Sequence, residues 1–228
     1  MLSDNAVHLT QLEWITDWWC TGSRRAQSDL VRRDLFECAG ILGVDHIKVG
    51  ADDNGIPVIR DRLLESFDEL ATDAAAAGVK IAFENTPFSH HVKTTEQAVE
   101  FILEVGNPNG GLLLDIWHAY RGGSDYSMLP RITPAHIVFG VELDDGNATV
   151  VGSHLDDTFN NRLLCGQGDF DVPAFIRAVH DIGYVGPWGI EHMSGESRAL
   201  PVGDVLGQSR TAALSCFPRI DNTDGNPR

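Results

Sequence analysis

Short apolar runs alternate with amphipathic stretches along the whole chain. Residues 6–14, 44–50, 79–85, 111–116, 136–143 and 187–191 have the length and composition of buried strands. Residues 24–42 place Leu30, Val31, Leu35, Cys38, Ile41 and Leu42 at helical spacing. Asp61 caps a second predicted helix running to Ala77, and Gly78 stops it. Thr94-Thr-Glu-Gln97 is a capping box that opens a helix to about Val105. A short helix is expected around 124–130. Asp171 with Pro173 opens another that ends at Gly183, and a last one covers 203–214. Asp52-Asp53-Asn54-Gly55 reads as a turn. Residues 144–170 read as a long polar connection in which Asp144 and Asp145 are exposed loop acids or caps.

This is a succession of about six βα units, which implies an α/β fold with a parallel sheet covered by helices. A closed barrel and an open doubly wound sheet both satisfy that pattern. No GxGxxG or Walker-type loop follows any strand, which argues against nucleotide binding. Four of the strands share a feature that separates the two folds. Val79–Asn85 ends on Glu84, and Gly111–His118 carries Asp115 with His118 three residues later. Ile137–Asp144 carries Glu142, and Gly186–His192 carries Glu191. Burying a carboxylate is costly unless it is paired or ligated. Carboxylates delivered at the same end of several strands point to one metal or acid/base centre, and that placement favours a barrel.

Composition narrows the functional classes. The 228 residues are 43% hydrophobic, enough for one domain with a substantial core. We expect that domain to span 1–215, followed by a polar tail over 216–228. The net charge of −16 offers no basic face for nucleic acid. Cys20, Cys38, Cys165 and Cys216 are scattered without a CxxC pair and read as reduced thiols. No apolar run is long enough for a membrane span, and the N-terminus has no signal-peptide pattern. The expectation is a cytoplasmic protein with no membrane or nucleic-acid partner.

Four strings then carry a resemblance: Ala82-Phe-Glu84-Asn85, Leu114-Asp115-Ile-Trp-His118, Gly166-Gln-Gly-Asp-Phe-Asp171 and Gly183-Tyr-Val-Gly-Pro-Trp-Gly-Ile-Glu191. Their order and strand-end placement resemble the sugar phosphate isomerase/epimerase family of xylose isomerase-like TIM barrels, over roughly residues 6–215. The resemblance implies a (β/α) barrel that binds a divalent metal. Eight βα units are the family pattern, and this chain shows about six, entering at the third strand and apparently lacking the first two. A barrel open in this way exposes two strand edges that a homodimer would cover. The chain also carries Glu142 where the family often has histidine.

The resemblance further implies a metal held by Glu84, Asp115, Glu142 and Glu191. Hard oxygen ligands suit Mn²⁺ or Mg²⁺, with Zn²⁺ and Co²⁺ as alternatives. Glu84 and Glu191 are the implied catalytic acid/base pair around a metal-stabilised enediolate, and His118 is implied to contact a substrate oxygen. Arg162, ahead of the Gly166–Gly168 turn, is a candidate for a substrate hydroxyl or carboxylate. Trp18, in the Trp18-Trp19 pair after the first strand, is a candidate pocket wall. His46 reads as a core or supporting residue, and His90-His91 as a solvated loop. The expected function is a metal-dependent isomerase or epimerase acting on a small sugar-like substrate. Two alternatives stay open: an inosose dehydratase-like lyase on the same scaffold, and a catalytically inactive truncated barrel.

Overall fold

Two opposite faces of one parallel sheet organise the molecule, seen here in a computed structural model that describes residues 4, 6–7, 9–50 and 57–218. The strands are β1 (Leu12–Ile15), β2 (His46–Gly50), β3 (Lys80–Glu84), β4 (Gly110–Asp115), β5 (Val138–Leu143) and β6 (Trp188–Ile190). Every neighbouring pair is parallel, and their order in the sheet is their order in the chain. The sheet curls into a half-barrel that accounts for about six of the eight units of a xylose isomerase-like TIM barrel. Among the described residues β1 and β6 each pair on one side only.

Side chains alternate between the two faces, as the pleat requires. Ile47, Val49, Ile81, Phe83, Leu112, Leu114, Val141 and Leu143 belong to the hydrophobic core. They are covered by helices that follow the strands: α1 (Gly22–Leu42), α2 (Arg60–Ala76), α3 (Thr95–Val105), α4 (Ile116–Gly122), α5 (Leu129–Ile132), α7 (Val172–Ile182) and α8 (Val202–Cys216), whereas α6 (His154–Asn160) contributes nothing to this core. The alternate set is His46, Lys48, Ala82, Glu84, Leu113, Asp115, Gly140 and Glu142. Apart from His46 and Leu113 it is small or charged, and it lines the concave face. Register then brings the charges together: Lys48 lies opposite Ala82, Gly50 opposite Glu84, and Asp115 opposite Glu142.

Most predicted elements appear within a few residues of their expected bounds, and the Thr94–Gln97 capping box forms with both of its hydrogen bonds. Three regions differ. The first strand is confined to Leu12–Ile15 rather than 6–14. Helix α4 starts directly at the end of β4, with Asp115 as its cap. Its sequence, Ile-Trp-His-Ala-Tyr-Arg-Gly, is so apolar that it reads as a continuation of the strand. The 144–170 connection contains α6, and Asp144 and Asp145 are fully buried rather than exposed loop acids. Their charges find internal donors, which is what makes burial tolerable. The turn expected at 52–55 and the tail from Asp221 lie outside the described residues.

Aromatic rings lock the helical layer to the sheet. Phe67 on α2 is fully buried and meets Trp18, Phe83 and Phe101 at centroid distances of 5.6, 5.6 and 5.4 Å. These are edge-on contacts that the ring quadrupole favours. Phe67→Ala is expected to lower unfolding stability by about 3–5 kcal/mol in urea titrations, the range for truncating a buried ring. A loss under about 1 kcal/mol would contradict this account of the core.

Candidate functional site

Strand ends and one loop build the site. Glu84 is the last residue of β3 and Asp115 the last of β4, with Glu142 one residue before the end of β5. Glu191 follows β6 directly. His118 comes from the first turn of α4, and because that helix starts without an intervening loop, its position is tied to Asp115. The Asp115 carboxylate accepts the Trp117 amide at 2.7 Å through Oδ1 and faces Arg162 Nη1 at 2.9 Å through Oδ2.

Arg162 reaches the centre from the loop between α6 and α7. Asp145 fixes that loop by accepting the amides of Gly146, Gly166 and Phe170, while its own backbone pairs with Leu163. The Arg162 guanidinium is fully buried. It donates to Asp144 at 2.5 Å and to the Thr158 carbonyl at 3.1 Å, and it lies 2.8 Å from Glu191 Oε2.

Lys48 is the functional-site residue that the sequence reading omitted. It sits in the middle of β2 with 1% of its surface exposed. Its ammonium lies 2.5 Å from Glu191 Oε1, 2.8 Å from Glu13 Oε2, 2.9 Å from Glu142 Oε2 and 3.8 Å from Glu84 Oε1. A mid-strand lysine ordinarily reads as a solvent-facing position. The available signal was its parity: Lys48 interrupts a buried run, and the register puts it on the face that carries Glu84.

The electrostatics are lopsided. Glu84, Asp115, Glu142, Asp144 and Glu191 outnumber Lys48 and Arg162. Burial and the neighbouring carboxylates Glu191 and Asp115 push Glu84 well above the usual carboxylate range, against the pull of Lys48. Burial also lifts Glu142 to about 7 and raises Asp144, against Lys48 and Arg162 respectively. Burial pushes the His118 imidazole well below its ordinary value, and the Arg162 charge adds to this, so His118 is neutral. Lys48 is held charged by Glu84, Glu191 and Glu142 in spite of burial. An excess of buried negative charge beside a neutral imidazole is the environment a cation would relieve.

One side chain atom each from Glu84, Asp115, His118 and Glu191 falls within 4.8 Å of the others, a grouping that could hold a metal ion. His118 Nε2 stands 3.7 Å from Glu84 and 3.8 Å from Asp115. Glu84 Oε1 and His118 Nδ1 are buried without a hydrogen-bond partner. The expected set of four carboxylates therefore differs in one member: Glu142 is turned to Lys48 and to Gln11 Nε2 at 3.2 Å, and His118 joins the group.

The site opens into a cavity of about 300 Å³. Lys48, Glu84, His118, Arg162 and Glu191 contribute polar lining, and Trp14, Phe88, Leu155, Phe159 and Met193 contribute apolar lining. Trp18, expected at the pocket wall, lies in the core instead, with its indole N–H donating to the Gly50 carbonyl at 3.0 Å. Packing against Phe67 and Phe83 turns it inward, and Trp14 stands at the cavity in its place. Gly50 makes room for Trp14, because a Cβ there would overlap the indole ring. His46 is half-buried in β2, His90 is exposed, and His91 contacts the Val58 carbonyl at 2.6 Å; none of the three lines the cavity.

Comparison with known proteins agrees with this architecture. The chain is 29% identical to 3-dehydroshikimate dehydratase of Pseudomonas aeruginosa over 170 residues, 73% of this chain and 26% of that protein. It is 32% identical to inosose isomerase of Bacillus licheniformis over 166 residues, 67% of this chain and 55% of the relative. It thus spans about a quarter to a half of the length of these relatives. Among solved structures, a xylose isomerase-like TIM barrel/4-hydroxyphenylpyruvate dioxygenase fusion protein superposes with a TM-score of 0.81 at 23% identity, covering 93% of this chain and 33% of that one. The IolI protein with a bound zinc atom gives 0.74 at 22% identity, covering 86% and 71%. No helix among the described residues is long and apolar enough to cross a membrane. A sequence model of the xylose isomerase-like TIM barrel matches residues 2–211, and the chain belongs to that family.

Proposed function

We propose that this chain is a divalent-metal-dependent isomerase or epimerase of a small hydroxylated carbonyl compound. The observation that carries this reading is the convergence of Glu84, Asp115, His118 and Glu191 within 4.8 Å beside a cavity. These four side chains would hold the metal. Their fit rests on the buried excess of negative charge and on the unpartnered Glu84 Oε1 and His118 Nδ1. The mixed oxygen and imidazole set suits Mn²⁺, Zn²⁺ or Co²⁺ better than Mg²⁺, which prefers oxygen ligands alone. When bound, such a cation polarises a substrate carbonyl and so acidifies the adjacent C–H.

The chain's own groups supply the rest. Glu84 and Glu191 form the acid/base pair: one carboxylate takes the proton from the carbon next to the carbonyl, and the other returns a proton to the enediolate. Environments that differ in burial suit them to opposite roles, since Glu84 is almost fully enclosed and the Glu191 side chain is 18% exposed. His118, with one ring nitrogen given to the metal, would have the N–H of the other to donate to a substrate oxygen. Arg162 adds fixed positive charge at the floor. The apolar wall of Trp14, Phe88, Phe159 and Met193 suits the carbon skeleton of the substrate and limits water.

A lyase reading has its own support in the 3-dehydroshikimate dehydratases of two Pseudomonas species among the relatives. It begins with the same proton abstraction and then expels a β-hydroxyl, which leaves as water with a proton from the second carboxylate. The proposed setting is the cytoplasm, and a homodimer would cover the single-sided edges of β1 and β6.

Proton abstraction is tested directly by NMR in D₂O, with Mn²⁺-loaded protein and inosose or 3-dehydroshikimate. Wash-in of deuterium next to the carbonyl is expected, and the product then separates isomerase from lyase. Glu84→Gln and Glu191→Gln should each slow exchange by about 10²–10⁴-fold while circular dichroism stays unchanged. Exchange at the parent rate in either variant refutes the assigned pair. Metal binding has a separate readout. Mn²⁺ at a hundredfold excess over its Kd should raise the unfolding free energy of metal-stripped protein by about 2.7 kcal/mol. No shift in the unfolding midpoint would remove the metal from the mechanism.

A further inference from the structure

We propose that Lys48 sets the metal affinity of this centre, by keeping Glu142 out of the ligand set and by sharing Glu191 with the cation. The inference rests on the metal site proposed above and concerns what this chain does to it.

An ammonium has three hydrogens to donate. Three carboxylates stand close enough to receive them, at 2.5 Å for Glu191, 2.8 Å for Glu13 and 2.9 Å for Glu142, and Glu84 lies next at 3.8 Å. Lys48 is thus a fixed monovalent cation in the middle of the acids that a divalent cation would use. Its effect on two of them is specific. Glu142 has both oxygens engaged, Oε2 by Lys48 and Oε1 by Gln11. It is absent from the group that closes within 4.8 Å, although it sits on β5 directly across from Asp115. Glu191 is in that group, yet its Oε1 faces Lys48 and its Oε2 faces Arg162 at 2.8 Å. A metal taking Glu191 must share it with one of these cations.

Removing Lys48 therefore does two things for an incoming metal. It takes away a repelling charge that has little solvent to screen it. It also releases Glu142 as a further oxygen donor. The affinity should rise, contrary to the usual result of damaging a site. The Lys48–Glu142 pair is a positioning device, and neither residue needs to touch substrate for it to act.

The test is calorimetric titration of the full chain, stripped of metal, with Mn²⁺. Parent, Asp115→Asn, Glu142→Gln, Lys48→Met and the double variant Lys48→Met/Glu142→Gln are compared, each checked for fold by circular dichroism. The parent should bind one Mn²⁺, and Asp115→Asn should lose it. Glu142→Gln should keep one site, weakened less than tenfold. Lys48→Met should bind at least tenfold more tightly than the parent. The double variant should bind more tightly than Glu142→Gln alone, with a smaller gain, because Glu142 is no longer there to recruit.

If Lys48→Met fails to fold with its stranded carboxylates, the double variant, which removes both charges of the pair, decides the matter against Glu142→Gln. Equal or weaker binding on removing Lys48 overturns the inference while leaving the metal site intact. Loss of binding in Glu142→Gln to the extent seen in Asp115→Asn also overturns it, because Glu142 would then be a ligand. A parent that binds no Mn²⁺ beside a Lys48→Met variant that binds one supports the inference in its strongest form. If neither binds, the metal site and the inference fall together.

Discussion

Charge balance in a space closed to water governs this molecule. Six carboxylates and two cations are drawn to the concave end of one sheet, and no arrangement of them is cheap to bury. What makes the arrangement tolerable is that each cation is shared. Lys48 touches acids from β1, β3 and β5 and the residue after β6, and Arg162 joins acids at the ends of β4 and β5 to Glu191. The network thereby ties non-adjacent strands across the concave face. A sheet with a neighbour on one side only at each end gains from such cross-links, because its hydrogen bonds alone connect only adjacent strands.

The division of labour between the faces follows from the same constraint. Helices can cover only an apolar surface, so the convex residues are Ile, Val, Leu and Phe, and the polar residues are left to the concave side. Function is concentrated there by elimination as much as by design. Short connections strengthen this. Asp115 ends a strand and caps a helix at once, so the carboxylate, the Trp117 amide and His118 are held by a few consecutive residues.

Much of this was readable in the chain itself. The strand-end acids Glu84, Asp115 and Glu191, and His118 three residues after one of them, stand out because charge at the end of a buried run needs a local reason. The capping box at Thr94 and the stop at Gly183 are encoded within a few neighbouring residues. What escaped was of two kinds. Helix α4 is apolar on nearly every side, so periodicity does not separate it from the strand before it. Lys48, Asp144 and Asp145 are charged residues whose burial depends on partners far along the chain: Glu142 and Glu191 for Lys48, Arg162 for Asp144, and the amides of Gly166 and Phe170 for Asp145. Long-range pairing names no partner in local sequence, and parity alone marks Lys48. Trp18 and Trp14 show the same limit, since an indole near a strand end suits either the core or a pocket until its neighbours are known.

The ion pair between Lys48 and Glu142 also restricts how this sequence can change over generations. Losing Lys48 alone leaves Glu142 with Gln11 where little water reaches, whereas losing Glu142 alone still leaves Lys48 against Glu191 and Glu13. The two changes are therefore unequal in order: Glu142 can be exchanged first, and Lys48 only after it.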